Sequence, residues 1–242
     1  MQNSLHFIQP IWPAPHNVRA LQSTRRGGLS SAPYNSLNLG DHVNDLPLNV
    51  AKNRQLLSQY LPNEPLWLNQ THGITVASHG TDCSPQADAI MSVERGEVCV
   101  VMTADCLPVL LCNTKGTVVA AVHAGWRGLC DGVIEAALSA MNVPANTIMA
   151  WLGPAIGPQS FEVGAEVRAA FMAKDNDASF AFQTKGEKYL ANIYQLAKMR
   201  LNKLGIHQIY GGEYCTVSDE ELFFSYRRDG VTGRMGTFIW LA

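Results

Sequence analysis

The feature that most constrains this chain is a series of short apolar runs through its middle. "LWLNQ", "ITVAS", "ADAIM", "EVCVVMTA", "LPVLLCN" and "TVVAAVHA" follow one another between Leu66 and Ala124, separated by turn residues. Runs of this length, apolar or alternating, read as strands. "NTKG", Asn113 to Gly116, predicts a hairpin turn between the last two. From Trp126 the period changes. Trp126, Leu129, Val133, Ala137 and Met141 recur every three or four residues, so one amphipathic helix is expected, ended by Pro144. "TIMAWLG" reads as another buried strand. Further helices are expected around Leu48 to Leu61, over Gly164 to Met172, and over Tyr189 to Leu204 with Gly205 as its stop. "HQIYGG", "LFFSY" and "GTFIWLA" read as late strands. Hairpin-like strand clusters mixed with helices favour an α+β fold over regular βαβ alternation.

No linker, repeat or charge block divides the chain, so residues 1–242 are read as a single domain. A net charge of −2 gives no electrostatic case for nucleic acid or an anionic membrane. No window approaches the apolar length of a membrane span. The start, "MQNSLHFIQPIWPAP", lacks a basic region followed by a long apolar stretch, which points to a cytoplasmic protein. The six cysteines, Cys83, Cys99, Cys106, Cys112, Cys130 and Cys215, include no CxxC pair. Reduced thiols are then the expectation, most of them small buried hydrophobes.

Cys106 stands apart, because Asp105 precedes it at the start of an apolar run. "LNQTHGITV" brings His72 to the start of a second strand, and "AAVHAGWRG" brings His123 to the exit of a third. Two imidazoles and a thiolate suit Zn²⁺, and three protein ligands leave the fourth tetrahedral position open for water or substrate. The spacings match no local zinc-finger pattern, so the ordinary alternative stands beside this one: backbone-bonded histidines and a core cysteine. The turn "HAGWRGL" opens a helix, where unpaired N–H groups and the Arg127 guanidinium would suit a phosphate or carboxylate. Arg127 could equally be a solvated helix-start residue. "SYRRDGVTGRM" gathers Arg227, Arg228, Asp229 and Arg234 near glycine-rich turns, and Arg228 is a second phosphate candidate; an exposed hairpin turn is the alternative. Asp105 is read as the site's carboxylate, orienting a ligand or moving protons, with a turn-capping role as the alternative. Asp88 and Gln70 are weaker supporting candidates. The polar segment "STRRGGLSSAPYNSLNLGDHVNDLP" reads as an extended functional loop, from which Asn38 and His42 are candidate pocket residues.

Together "NQTHG", "ADAIMS", "TADCLPVLL", "AAVHAGWRGL", "GPAIGPQSFEVG" and "FFSYRRDGVTGRMGTFIWL" closely resemble the YfiH/LACC1 family, long called multicopper polyphenol oxidases or laccase-domain proteins. The resemblance runs along nearly the whole chain. Thr71 stands where valine is common in the family's "NQVHG" pattern. The resemblance implies a layered α/β/β/α sandwich with mixed β-sheets, and zinc on His72, Cys106 and His123. It implies phosphorolysis of purine nucleosides (adenosine, inosine, methylthioadenosine) by phosphate, with adenosine deamination. It also implies a rival, a cell-wall editing amidase that removes misplaced L-serine from the peptidoglycan precursor. A metal-free cysteine hydrolase using Cys106 and His123 is a further alternative. A laccase would need several copper ions on HxH and HCH clusters. This chain has seven histidines and no HxH pair, although Cu²⁺ could compete for the zinc ligands.

Overall fold

A computed structural model describes residues 5–80 and 84–242. Cys83 and the first four residues lie outside the described residues. The chain runs through β1 (Phe7–Ile8), β2 (Val18–Ser23), α1 (Pro47–Leu57), β3 (Val76–Ser78), β4 (Ala89–Ser92), β5 (Cys99–Thr103), β6 (Leu107–Asn113) and β7 (Val119–Ala124). Then come α2 (Trp126–Asp131), α3 (Val133–Met141), β8 (Ile148–Leu152), β9 (Glu162–Val163), α4 (Ala165–Lys174), β10 (Phe182–Lys185) and β11 (Lys188–Ala191). The last elements are α5 (Ile193–Lys203), β12 (Gln208–Gly211), α6 (Tyr226–Asp229) and β13 (Met235–Leu241).

Two sheets carry the fold. One is antiparallel, in the order β1-β2-β13-β5; the other is mixed, in the order β12-β8-β6-β7-β4-β3. Alternation along the strands sorts residues into layers. Leu110 and Cys112 of β6, Val119 and Ala121 of β7, and Met149 and Trp151 of β8 meet Cys99, Val101, Ile239 and Leu241 of the other sheet. The opposite parity on β6, β7 and β8 (Val109, Leu111, Ala120, Val122, Ala150) packs under Val133, Ile134 and Ala137 of α3 and Leu196, Ala197 and Leu201 of α5. On the outer face of the antiparallel sheet, Val100, Met102, Phe238 and Trp240 pack with Leu57 of α1, Leu37 and Leu39. Helix, sheet, sheet and helix are therefore stacked, the expected α+β sandwich.

Four sequence expectations needed correction. The helix from Trp126 is two helices, because Gly132 takes φ 106° and breaks the run. The helix expected from Tyr189 starts at Ile193. Residues Lys188–Ala191 form a strand between β10 and β9, and the Asn192 side chain accepts from the Gln195 N–H as the helix cap. "LFFSY" forms no strand; Phe223 and Phe224 are fully buried, and the Phe224 N–H meets the Met235 sulfur at 3.1 Å. Helix α1 stops at Leu57 and its last turn tightens to a 3₁₀ turn over Ser58–Tyr60. The polar segment before α1 lacks regular structure, as expected. Cys99, Cys112 and Cys130 are buried. No helix among the described residues is long and apolar enough to cross a membrane.

Candidate metal centre

The site lies where the space between the two sheets reaches the strand ends. On β7 the parity of Val119 and Ala121 continues to His123, which is 2% exposed. β6 pairs with β7 in the register Leu107↔Ala124, so the next pair sets Cys106 beside Gly125. β4 pairs with β7 at Ala89↔Val122, so Asp88 lies across from His123. Their side chains meet, with His123 Nδ1 2.7 Å from Asp88 Oδ1. Asp88 also accepts from the N–H groups of Thr71, His72 and Gly73. These bonds hold the loop that delivers His72, whose φ of 62° is left-handed.

The donor atoms of His72, Cys106 and His123 all lie within 4.8 Å of one another, the one such group of metal-ligand type among the described residues. Cys106 Sγ is 3.8 Å from His72 Nε2, and the two imidazole rings stand 4.8 Å apart, edge to face. Tetrahedral zinc, with bonds of about 2.0–2.3 Å, sets its donors about 3.3–3.7 Å apart. The group fits a divalent ion after small shifts. Asp88 takes Nδ1 of His123 and leaves Nε2 for the centre. Gly125 provides the room: a Cβ there would lie 2.8 Å from His72 Cδ2 and 3.1 Å from Cys106 Sγ.

The charges are coupled. Burial alone would push the Cys106 thiol up, but the imidazoles of His123 and His72 pull it down to about 6. Burial disfavours the His123 imidazolium, yet Cys106 and Asp88 raise it to about 9. Burial likewise opposes the Asp88 carboxylate, and its bonds from His123 and Gly73 outweigh that, holding it at about 2. Without metal these directions favour a thiolate–imidazolium–carboxylate row; a bound divalent ion would take the thiolate and replace the proton on the imidazole.

The group opens on a cavity of about 430 Å³ lined by Arg127, Arg227, Arg234, His42, Asp105 and Tyr226, with Trp126, Ile156, Phe161 and Ile193 as apolar wall. Arg127 stacks 4.5 Å over the Trp126 ring. Burial, then Arg234, keeps His42 below the usual histidine range. Asp105 sits at φ 88° between β5 and β6; its oxygens accept from Thr216 Oγ1 and the Arg227 N–H, both at 2.6 Å. Gln70 grips the backbone of Met102 through both ends of its amide.

Two expected pocket residues are elsewhere. Arg228 spends its guanidinium on the carbonyls of Thr216, Val217 and Phe223 and on Asp229, and borders a separate groove of about 1000 Å³. Asn38 is fully buried, bonding Gly40, Asp45 and the Arg234 N–H, and holds the loop together. Sequence reasoning missed Thr103, which is 1% exposed, lines the cavity and leaves its Oγ1 without a partner. Its signal was the parity of Cys99 and Val101, which carries on to Thr103.

Residues 19–242 match the family model described as "Multi-copper polyphenol oxidoreductase laccase". The "Purine nucleoside phosphorylase YfiH" of Shigella flexneri is 57% identical over 239 residues, covering 97% of this chain and 98% of the relative. That of Escherichia coli (strain K12) is 56% identical over 239 residues, with the same 97% and 98% coverage. Among solved structures, protein NMB0706 of Neisseria meningitidis superposes with a TM-score of 0.93 at 47% identity, covering 97% of this chain and 98% of that one.

Proposed function

We propose, from the premise that this chain belongs to the multi-copper polyphenol oxidoreductase laccase family, that it is a zinc-dependent purine nucleoside phosphorylase. Residues 1–242 would act as one cytoplasmic catalytic domain. Relatives more than half identical over nearly the whole chain bear the name purine nucleoside phosphorylase. The observation that carries the reading is three metal-type donors within 4.8 Å at a cavity that three arginines also line. About 430 Å³ lies within the usual size of a small-molecule site of roughly 300–1,000 Å³.

Zinc held by His72, Cys106 and His123 would supply Lewis acidity and positive charge at neutral pH. The remaining work belongs to the chain. Arg127, with its guanidinium stacked on Trp126, and its neighbours Arg227 and Arg234 hold phosphate against the nucleoside. Ile156, Phe161 and Ile193 take the purine and exclude water. In phosphorolysis a phosphate oxygen bonds to ribose C1′ as the bond from C1′ to the purine breaks, and the departing purine takes up a proton. The attacking hydrogen phosphate supplies that proton, and Asp105 relays it to the purine, giving up its bond from Thr216 or Arg227 while it carries the proton. Adenosine deamination in the same cavity requires a second pose, with purine C6 toward the donors. Cu²⁺ would compete for the same three ligands. A multicopper oxidase needs further clusters, and the described residues form one.

The test is a product assay on metal-defined protein given inosine, adenosine or methylthioadenosine with inorganic phosphate. Ribose 1-phosphate or its methylthio analogue should appear, and should be lost in Cys106→Ser. Release of L-serine from a serine-containing cell-wall precursor, without any sugar phosphate, would replace the phosphorylase with an amidase. A second reading rests on the row Cys106, His123 and Asp88: Cys106 is the nucleophile, His123 the base that takes its proton and returns it to the leaving group, and Asp88 the carboxylate that orients the imidazole, without metal. Full hydrolytic turnover in protein stripped of metal would favour it.

A further inference from the structure

We propose that Asp88 is the positioning residue of the metal centre, one buried carboxylate that sets the backbone of one histidine ligand and the ring of the other. This rests on the triad holding a divalent ion and is independent of the substrate. Asp88 has zero exposure. Its Oδ1 accepts from the His72 N–H at 2.9 Å and from His123 Nδ1 at 2.7 Å. Its Oδ2 accepts from the N–H groups of Thr71 at 3.1 Å and Gly73 at 2.7 Å, and from Thr71 Oγ1 at 3.2 Å. A carboxylate offers about four lone-pair sites, so five donors saturate it. Nothing remains with which Asp88 could bind substrate or act as a base.

The two halves of the arrangement do different work. Three successive N–H groups converge on one anion, a concavity that backbone forms only in a turned conformation. That convergence supports His72 at φ 62°, a conformation disfavoured for any residue with a side chain. The bond to His123 fixes its tautomer, with the proton on Nδ1 and the lone pair on Nε2 toward Cys106 and His72. Because one oxygen, Oδ1, touches both ligand segments, displacing the carboxylate loosens two of the three ligands together. The backbone reinforces the pair: the His123 N–H donates to the Asp88 carbonyl at 2.7 Å.

The experiment uses the full chain, stripped of metal and titrated with Co²⁺, whose thiolate charge-transfer and ligand-field bands report Cys106 and the coordination geometry. Asp88→Asn should bind Co²⁺ about 10- to 100-fold more weakly than wild type. The Asn amide cannot accept from every donor that now meets the carboxylate. The second measurement needs no mutant: imidazole ¹⁵N shifts of zinc-loaded wild type should show His123 protonated at Nδ1 and metal-bound through Nε2. A role confined to loop stability would move the melting temperature and leave that tautomer unspecified. Wild-type cobalt affinity in Asp88→Asn, or a metal bond to His123 Nδ1, overturns the proposal while the metal centre stands. A wild-type protein with no cobalt spectrum overturns both. If Asp88→Asn does not fold, the ¹⁵N tautomer decides.

Discussion

Gly125→Ala is the smallest perturbation that addresses the metal centre directly. Gly125 sits at φ −61°, ψ 157°, extended backbone open to any residue, so an alanine there meets no conformational obstacle. Its methyl group would lie 2.8 Å from His72 Cδ2, 3.1 Å from Cys106 Sγ and 3.6 Å from His72 Nε2. Non-bonded carbons rest at about 3.5–4.0 Å, so the imidazole must retreat by about 0.7 Å or more. Metal–ligand distances tolerate about 0.2 Å. Overpacking of this kind costs about 1–3 kcal/mol, which in a dissociation constant is about 5- to 150-fold. In metal-free protein the exposed His72 ring can turn away, so the cost appears mainly on metal binding. Loss of a glycine also restricts the unfolded chain, which favours the metal-free fold by about 0.4–1 kcal/mol. Zinc competition against a chromophoric chelator, with thermal melts in EDTA, reads both quantities. Weaker zinc binding with an unchanged or raised metal-free melting temperature is expected. Wild-type affinity would refute the claim that Gly125 makes room for the ligands.

Metal-free Cys106 should alkylate with a rate that rises with pH through a midpoint near 6, because its thiol is lowered and the thiolate reacts; peptide mass spectrometry after iodoacetamide reads this, and a midpoint near 9 removes the charged pair. Burial pushes Cys112 up to about 12, so it should stay unlabelled over the same range. Arg127→Ala should raise the KM for phosphate at least tenfold, the effect of losing about 1.4 kcal/mol of charged contact, with an unchanged melting temperature. Arg228→Ala should do the reverse, lowering the melting temperature because the carbonyls of Thr216, Val217 and Phe223 lose their donor. Tyr194→Phe leaves the buried Ala155 N–H without its 2.8 Å acceptor, so urea unfolding should register a loss of about 1–3 kcal/mol.

The strands were legible because each layer is a two-faced apolar surface, and such runs as Leu107–Asn113 admit few other uses. The breaks were less legible. Nothing in the helical period at Trp126 to Met141 announces that Gly132 will turn left-handed. Tyr189, Leu190 and Ala191 suit a helix face, yet pair with β9 and β10 because the Asn192 cap fixes where α5 begins. Arg228 misled for a physical reason. The turn segment from Thr216 to Phe223 leaves carbonyls facing inward, and the arginine beside the glycine-rich turn is as useful to them as to a phosphate. Asn38 is the same case with an amide: its four partners are backbone groups and Asp45, all within its own loop or beside Arg234.

Asp88, read from the sequence only as a weaker supporting candidate, was more decipherable than that, and its reason ties the centre to the fold. Ile90 faces the space between the sheets, so Asp88, two residues earlier, points a carboxylate toward that interior face. A charge set there is costly unless several donors meet it, which makes the position itself a signal. The same parity takes β7 from Val119 and Ala121 to His123, β6 from Cys112 and Leu110 back to Cys106, and β5 from Cys99 and Val101 on to Thr103. Apolar side chains fill the middle of the seam between the sheets, and at its rim the same positions carry ligands and their supports. A slip of one residue in the β6–β7 pairing would turn His123 toward the α3 side while exposing half the core. The alternation that packs the two sheets is therefore also what turns the ligands to one face, and the register Leu107↔Ala124 is what brings Cys106, beside Gly125, within reach of His123.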